Sequence, residues 1–189
     1  LKRMANKNIQ IGVIGSGNNA YAKLTWPIGR WIAEQGFNLV TGGGGGVMAS
    51  VAQAFTQVTH RKGKVIGIIP SAVTCDRAAT RSHHTPPAGY PNDYVDIPIY
   101  THLHLSGIQG KGLASRNHII VLTADLVIGF PGGPGTRSEI QLALEYRKPL
   151  VLLNHDHIWD EFTRTDAKVV GTSDDVISTI QAMRPEWFD

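Results

Sequence analysis

A three-layer α/β fold, with a doubly wound and mostly parallel sheet between two layers of helices, is the architecture this sequence predicts. Three observations carry that reading. Short β-branched runs alternate with longer amphipathic segments. Several of those runs are apolar at nearly every position, as strands buried on both faces must be. Three of them end in glycine-rich turns, and the carboxyl edge of an open α/β sheet is where ligands bind.

Taken in order, the first candidate strand, residues 9–15 (IQIGVIG), runs into Gly15-Ser16-Gly17-Asn18-Asn19-Ala20 and a helical pattern over 27–35. The second, 37–41 (FNLVT), runs into five glycines, Gly42 to Gly46, and a helix over 48–58. The third, 64–69 (KVIGII), is followed by a segment without periodicity, 71–92, which holds Arg77, Arg81, His83, His84, Pro86, Pro87 and Pro91 and is expected to be a long mobile loop. A strand at 94–100 and a helix at 112–123 feed the strand 124–130 (ADLVIGF), which turns through Pro131-Gly132-Gly133-Pro134-Gly135 into a helix at 136–146. A strand at 149–153 and a helix at 173–183 complete the pattern, a Rossmann-like sheet with crossover helices on both faces.

The 189 residues are expected to form one domain, 1–189, with a flexible N-terminal segment over 1–8. Hydrophobic content of 42% against 17% charged residues reads as globular, and the 21 glycines act as punctuation between elements. A net charge of +3 suits a small anionic ligand, but no basic cluster interleaves with aromatics as a nucleic-acid face would. No apolar run is long enough for a signal-peptide core or a membrane span. With one cysteine, Cys75, an internal disulfide is excluded; a reducing compartment follows, and the expected location is cytoplasmic. His102 and His104 alternate as on one strand face, but no third ligand can be assigned, so no metal is expected.

The glycine turns exclude two familiar sites. Gly15-Ser16-Gly17-Asn18-Asn19-Ala20 matches G-x-G-x-x-A, but the second strand ends Leu39-Val40-Thr41 without the acid that a dinucleotide's ribose requires. Gly110-Lys111 is followed by Gly112 where a Walker A loop needs Ser or Thr. What remains is a floor of backbone N–H groups and helix N-termini for a phosphate. Its candidate residues are Gly15, Ser16, Gly17, Gly43, Gly44, Gly45, Met48, Gly132, Gly133, Gly135 and Thr136.

Two charged residues reach the same edge. Thr136-Arg137-Ser138-Glu139 reads as a T-x-x-E capping box, yet a carboxylate one turn into a phosphate-binding helix repels phosphate unless it faces another part of the ligand, such as the ribose carbon of a breaking N-glycosidic bond. Arg116, expected one turn into the helix 112–123, returns to that edge because a twelve-residue helix rises ~18 Å and the strand after it runs back a similar distance.

The segments GGGGGVM, VIGIIP, SRN and PGGPGTRSE resemble the LONELY GUY (LOG)-like superfamily, some of whose members carry a lysine decarboxylase label and which includes the molybdenum cofactor carrier proteins. Its P-G-G-x-G-T-x-x-E hallmark is matched at Pro131, Gly132, Gly133, Gly135, Thr136 and Glu139, and its upstream Arg at Arg116. The resemblance implies a phosphoribohydrolase that cleaves a nucleoside 5′-monophosphate, AMP or N6-modified AMP, to free base and ribose 5-phosphate without a cofactor. It gives Glu139 and Arg116 catalytic roles and the phosphate to Gly133, Gly135 and Thr136, and it implies a homo-oligomer, a dimer or tetramer. Nothing singles out a Schiff-base lysine for the decarboxylase label. Where the hydrolases usually read Arg-Lys this chain has Arg116-Asn117, and where they read Leu-Glu-Glu it has Arg137-Ser138-Glu139. These forms are closer to the carrier branch, which implies an alternative: a protein that binds molybdenum cofactor through its pterin phosphate without turnover, with Arg137 adding positive charge.

Overall fold

A computed structural model describes residues 8–188, so the expectation for the N-terminal segment lies almost wholly outside the described residues. The strands are β1 (Gln10–Ile14), β2 (Asn38–Thr41), β3 (Val65–Ile69), β4 (Ile97–Tyr100), β5 (Leu126–Gly129), β6 (Leu150–Leu153) and β7 (Lys168–Val170). The helices are α1 (Ala22–Glu34), α2 (Val47–Thr56), α3 (Ala78–Arg81), α4 (Asn117–Thr123), α5 (Pro134–Glu145) and α6 (Ser173–Met183). The strands form one sheet in the order β4-β3-β2-β1-β5-β6-β7, and every pairing is parallel. The expected Rossmann-like α/β architecture is the one observed.

Strand alternation divides the core into two halves. Ile11 and Val13 of β1 and Leu126 and Ile128 of β5 face α1, α2 and α6, where Ile28, Ile32, Val51, Phe55, Val176 and Ile180 close over them. Ile14, Val127 and Leu152 point the other way, onto Ile120 and Val121 of α4 and Ile140 and Ala143 of α5. A parallel sheet needs both faces covered because its central strands expose apolar side chains on each. Removing one fully buried ring, such as that of Phe55, costs about 3–5 kcal/mol by lost transfer energy and residual cavity.

Several boundaries differ from expectation. α1 begins five residues before Pro27, which sits inside the helix and forgoes one backbone hydrogen bond. α4 begins at Asn117 and not near Gly112, because 107–115 is occupied by tight turns in which Gly112 N–H bonds the Gln109 carbonyl and Ser115 N–H the Gly112 carbonyl (both 2.9 Å). Arg116 is therefore the residue that enters α4, not one a turn into it. The segment 71–92 contains α3 and is tied by His84 Nε2 to the Thr101 carbonyl (2.9 Å). Among the described residues no helix is long and apolar enough to cross a membrane.

Candidate functional site

The sheet order reverses direction between β1 and β5, and the turns that follow these two strands separate there to leave a crevice. They are pinned together: Ser16 N–H donates to the Pro131 carbonyl (2.9 Å), and the Ser16 carbonyl accepts from Val47 N–H at the start of α2 (2.8 Å). The Ser16 hydroxyl accepts from Asn18 N–H and Asn19 N–H (3.2 and 3.0 Å), which shapes the turn before α1. Between the turns lies a cavity of about 480 Å³.

The cavity brings together Gly15, Ser16, Gly17, Met48, Arg116, Gly132, Gly133, Gly135, Thr136 and Glu139. The first turn of α5 forms one wall. Gly133 is its N-cap and no side chain caps it, while Pro134 sets the helical φ at the position where its missing N–H costs nothing. The remaining first-turn N–H groups have no intrahelical acceptor, so the helix start favours an anion by donors and by dipole together. Gly132 is required by close approach: a Cβ there would stand 2.1 Å from Thr136 Oγ1.

This helix start replaces the expected capping box. Thr136 is not the cap; it lies inside the first turn, buried, with its hydroxyl against Gly132. Glu139 is correspondingly deeper in α5 and borders the cavity instead of folding back on the backbone. Burial pushes its carboxyl up from the ordinary 4.5 to about 7, and the nearby Arg116 cation offsets only part of that rise. Arg137 is also placed differently from expectation. Its guanidinium lies 5.7 Å from the centre of the Trp159 ring and pairs with Glu161, away from the cavity.

Gly43, Gly44 and Gly45 do not line the cavity. The turn after β2 provides space instead. A Cβ on Gly42 would lie 2.6 Å from Arg116 Nη2, and one on Gly44 would lie 2.4 Å from Tyr90 Cζ. Asn92 fastens the same turn, its backbone N–H donating to the Gly43 carbonyl (2.7 Å) and its Nδ2 to the Gly44 carbonyl (2.8 Å). Arg116 is 7% exposed, and its Nη1 donates to Asn117 Oδ1 (3.0 Å).

Sequence reasoning missed Asn18, Asn19, Tyr21, Tyr90, Ser106, Gly107 and Asn117, all of which line the cavity. Asn18 and Asn19 were within a quoted turn and Asn117 beside Arg116, so proximity to a motif was the available signal. Tyr90 comes from the aperiodic segment and had none. His118 lies outside the cavity wall, bonded through Nδ1 to the Tyr146 hydroxyl (2.7 Å) and through Nε2 to the Lys111 carbonyl (3.1 Å). Among the described residues no group of three His, Cys, Asp or Glu could hold a metal ion.

Comparison with known proteins bears on this site. Residues 8–182 match the model of the SLOG cluster4 family. The chain is 29% identical over 152 residues to the cytokinin riboside 5′-monophosphate phosphoribohydrolase LOG of Oryza sativa subsp. japonica, a match that covers 76% of this chain and 52% of the rice protein, about half its length. The molybdenum cofactor binding protein of Rippkaea orientalis is similar in structure at 30% identity and a TM-score of 0.70, covering 95% of this chain and 99% of that one. The molybdenum cofactor carrier protein of Chlamydomonas reinhardtii is similar at 26% identity and a TM-score of 0.71, with the same coverage of 95% and 99%.

Proposed function

The chain belongs to the SLOG cluster4 family, and from that premise we propose that it is a phosphoribohydrolase acting on a nucleoside 5′-monophosphate, AMP or an N6-modified AMP. One observation carries the reading: a carboxyl group with a pKa near 7 shares one cavity with a buried arginine and an uncapped helix N-terminus. The phosphate sits on the first turn of α5, against Gly133, Gly135 and Thr136. Glu139 is four residues beyond Gly135, about 6 Å along the helix axis, which is the scale of a ribose ring. The anomeric carbon then faces the carboxylate and not the N–H groups.

In this reaction the C1′–N bond breaks with its electron pair going to the base, while a water oxygen adds to C1′. Ionised Glu139 stabilises the cationic character of C1′ as the bond lengthens, takes the proton of the attacking water, and releases it to the departing base. Arg116 binds substrate and keeps the local field favourable to the carboxylate. No cofactor is needed. Incubation with AMP and N6-modified AMP should release free base, and Glu139→Gln should abolish it. Retained nucleotide binding with no release by the unaltered protein would overturn the reading.

A second reading has its own support. The similarity to the two molybdenum cofactor proteins spans 95% of this chain, and Arg137 and Asn117 depart from the hydrolase pattern. A carrier of a phosphate-bearing pterin would use the same α5 N-terminus for the phosphate. Asn18, Asn19, Ser106 and Asn117 would offer hydrogen bonds to the heterocycle. Under this reading the protein retains the pterin ligand and releases no base from any nucleotide.

A further inference from the structure

Arg116 is held where its own chemistry would not leave it. The residue is 7% exposed, and its Nε is buried without a hydrogen-bond partner among the described residues. A buried charged donor left unsatisfied is costly, and native structures keep such groups chiefly where they serve a site. Glu139, the other charged residue of the cavity wall, would satisfy it, yet the two form no ion pair among the described residues. Its sequence neighbour Asn117 and the distant Tyr90 hold the guanidinium instead. Asn117 Oδ1 accepts from Nη1 (3.0 Å), and the Tyr90 ring centre lies 5.7 Å from Cζ. Tyr90 is itself seated by the Gly44 gap and by the bonds of Asn92 to Gly43 and Gly44.

We infer that Asn117 and Tyr90 are positioning residues that hold the Arg116 guanidinium off Glu139, so that the two charged groups remain available to the ligand instead of neutralising each other. A neutral amide suits this task. Its oxygen accepts from the guanidinium without supplying a rival charge, and its 3% exposure keeps water from competing. The Tyr90 ring contributes through its electron-rich face, which attracts a desolvated guanidinium. The inference rests on the cavity being the site proposed above.

The groups that face Glu139 are few. Along the cavity wall Arg116 is the other charged residue, and Tyr21 and Tyr90 are the other titratable ones. Arg137, on α5 itself, is engaged by Glu161. A shift in the titration of Glu139 therefore reports the position of Arg116.

The test follows the Glu139 carboxyl by carbon NMR as pH is raised, in protein labelled at glutamate side-chain carboxyls and assigned with Glu139→Gln. The unaltered protein should titrate near 7. Asn117→Ala and Tyr90→Leu should each free Arg116 to approach Glu139 and lower the midpoint by about one pH unit or more. Asn117→Asp, which holds the guanidinium more firmly, should leave the midpoint at or above that of the unaltered protein, and Tyr90→Phe should leave it in place. A midpoint unmoved by Asn117→Ala and Tyr90→Leu overturns the inference, as does a shift in the same direction for Asn117→Ala and Asn117→Asp. Should one alanine or leucine variant fail to fold, the other carries the test. Titration needs no turnover: absence of base release with these shifts intact refutes the hydrolase reading alone, and unmoved titration with base release intact refutes the clamp alone.

Discussion

Replacing Glu139 by glutamine should stabilise the protein at alkaline pH while removing its activity. The folded chain holds a proton on Glu139 up to about pH 7, whereas the unfolded chain releases it near the ordinary 4.5. Between those values the folded state binds more protons than the unfolded one, so stability falls as pH rises through the window. At about 1.4 kcal/mol for each pH unit, the loss amounts to about 3 kcal/mol at pH 8. Glutamine is nearly isosteric with the protonated acid and carries no charge to desolvate. The variant should thus match the unaltered protein at pH 4 and exceed it progressively above pH 4.5, reaching a melting temperature roughly 6–12 °C higher at pH 8 for a chain of this size. Thermal denaturation followed by circular dichroism at pH 4, 6 and 8 measures the difference. A variant that is less stable at pH 8, or whose advantage is the same at every pH, would refute the idea that a half-buried and underpaired carboxylate is maintained for function.

Other outcomes follow from the same geometry. If Glu139 acts as the carboxylate, as the proposed hydrolysis requires, base release should rise with pH through about 7; the pH profile of kcat/KM checks this. Arg116→Ala should lower kcat/KM by about 10²-fold or more, as loss of a buried charged contact does, whereas Arg137→Ala should leave it unchanged because Arg137 pairs with Glu161 outside the cavity. Gly132→Ala should displace Thr136, whose Oγ1 would stand 2.1 Å from the new Cβ, and thermal shift should show protection by inorganic phosphate lost.

The sheet was legible because apolar runs bounded by glycine can scarcely be anything but buried parallel strands, and the reversal between β1 and β5 is where two of the three glycine turns fall. Helix starts were less legible. The letters T-x-x-E fit a capping box, but Pro134 already sets helical geometry two residues earlier, so Thr136 lies inside the turn and Glu139 moves to the cavity wall. β7 escaped notice because three exposed or half-buried residues carry no period. Gly43, Gly44 and Gly45 were read as part of a phosphate floor, whereas in the same turn Gly42 makes room for an arginine 74 residues farther on and Gly44 for Tyr90. No local pattern announces such long-range packing. Tyr90 and Asn117 stayed hidden for the same reason: each matters through what it does to Arg116.

The most direct measurement is a crystal structure of the protein with ribose 5-phosphate. The proposed hydrolase function requires the phosphate on the backbone N–H groups of Gly133, Gly135 and Thr136, with C1′ turned toward the Glu139 carboxyl and Arg116 beside the sugar. Phosphate bound elsewhere, or a ribose whose C1′ points away from Glu139 while the phosphate occupies α5, would contradict it.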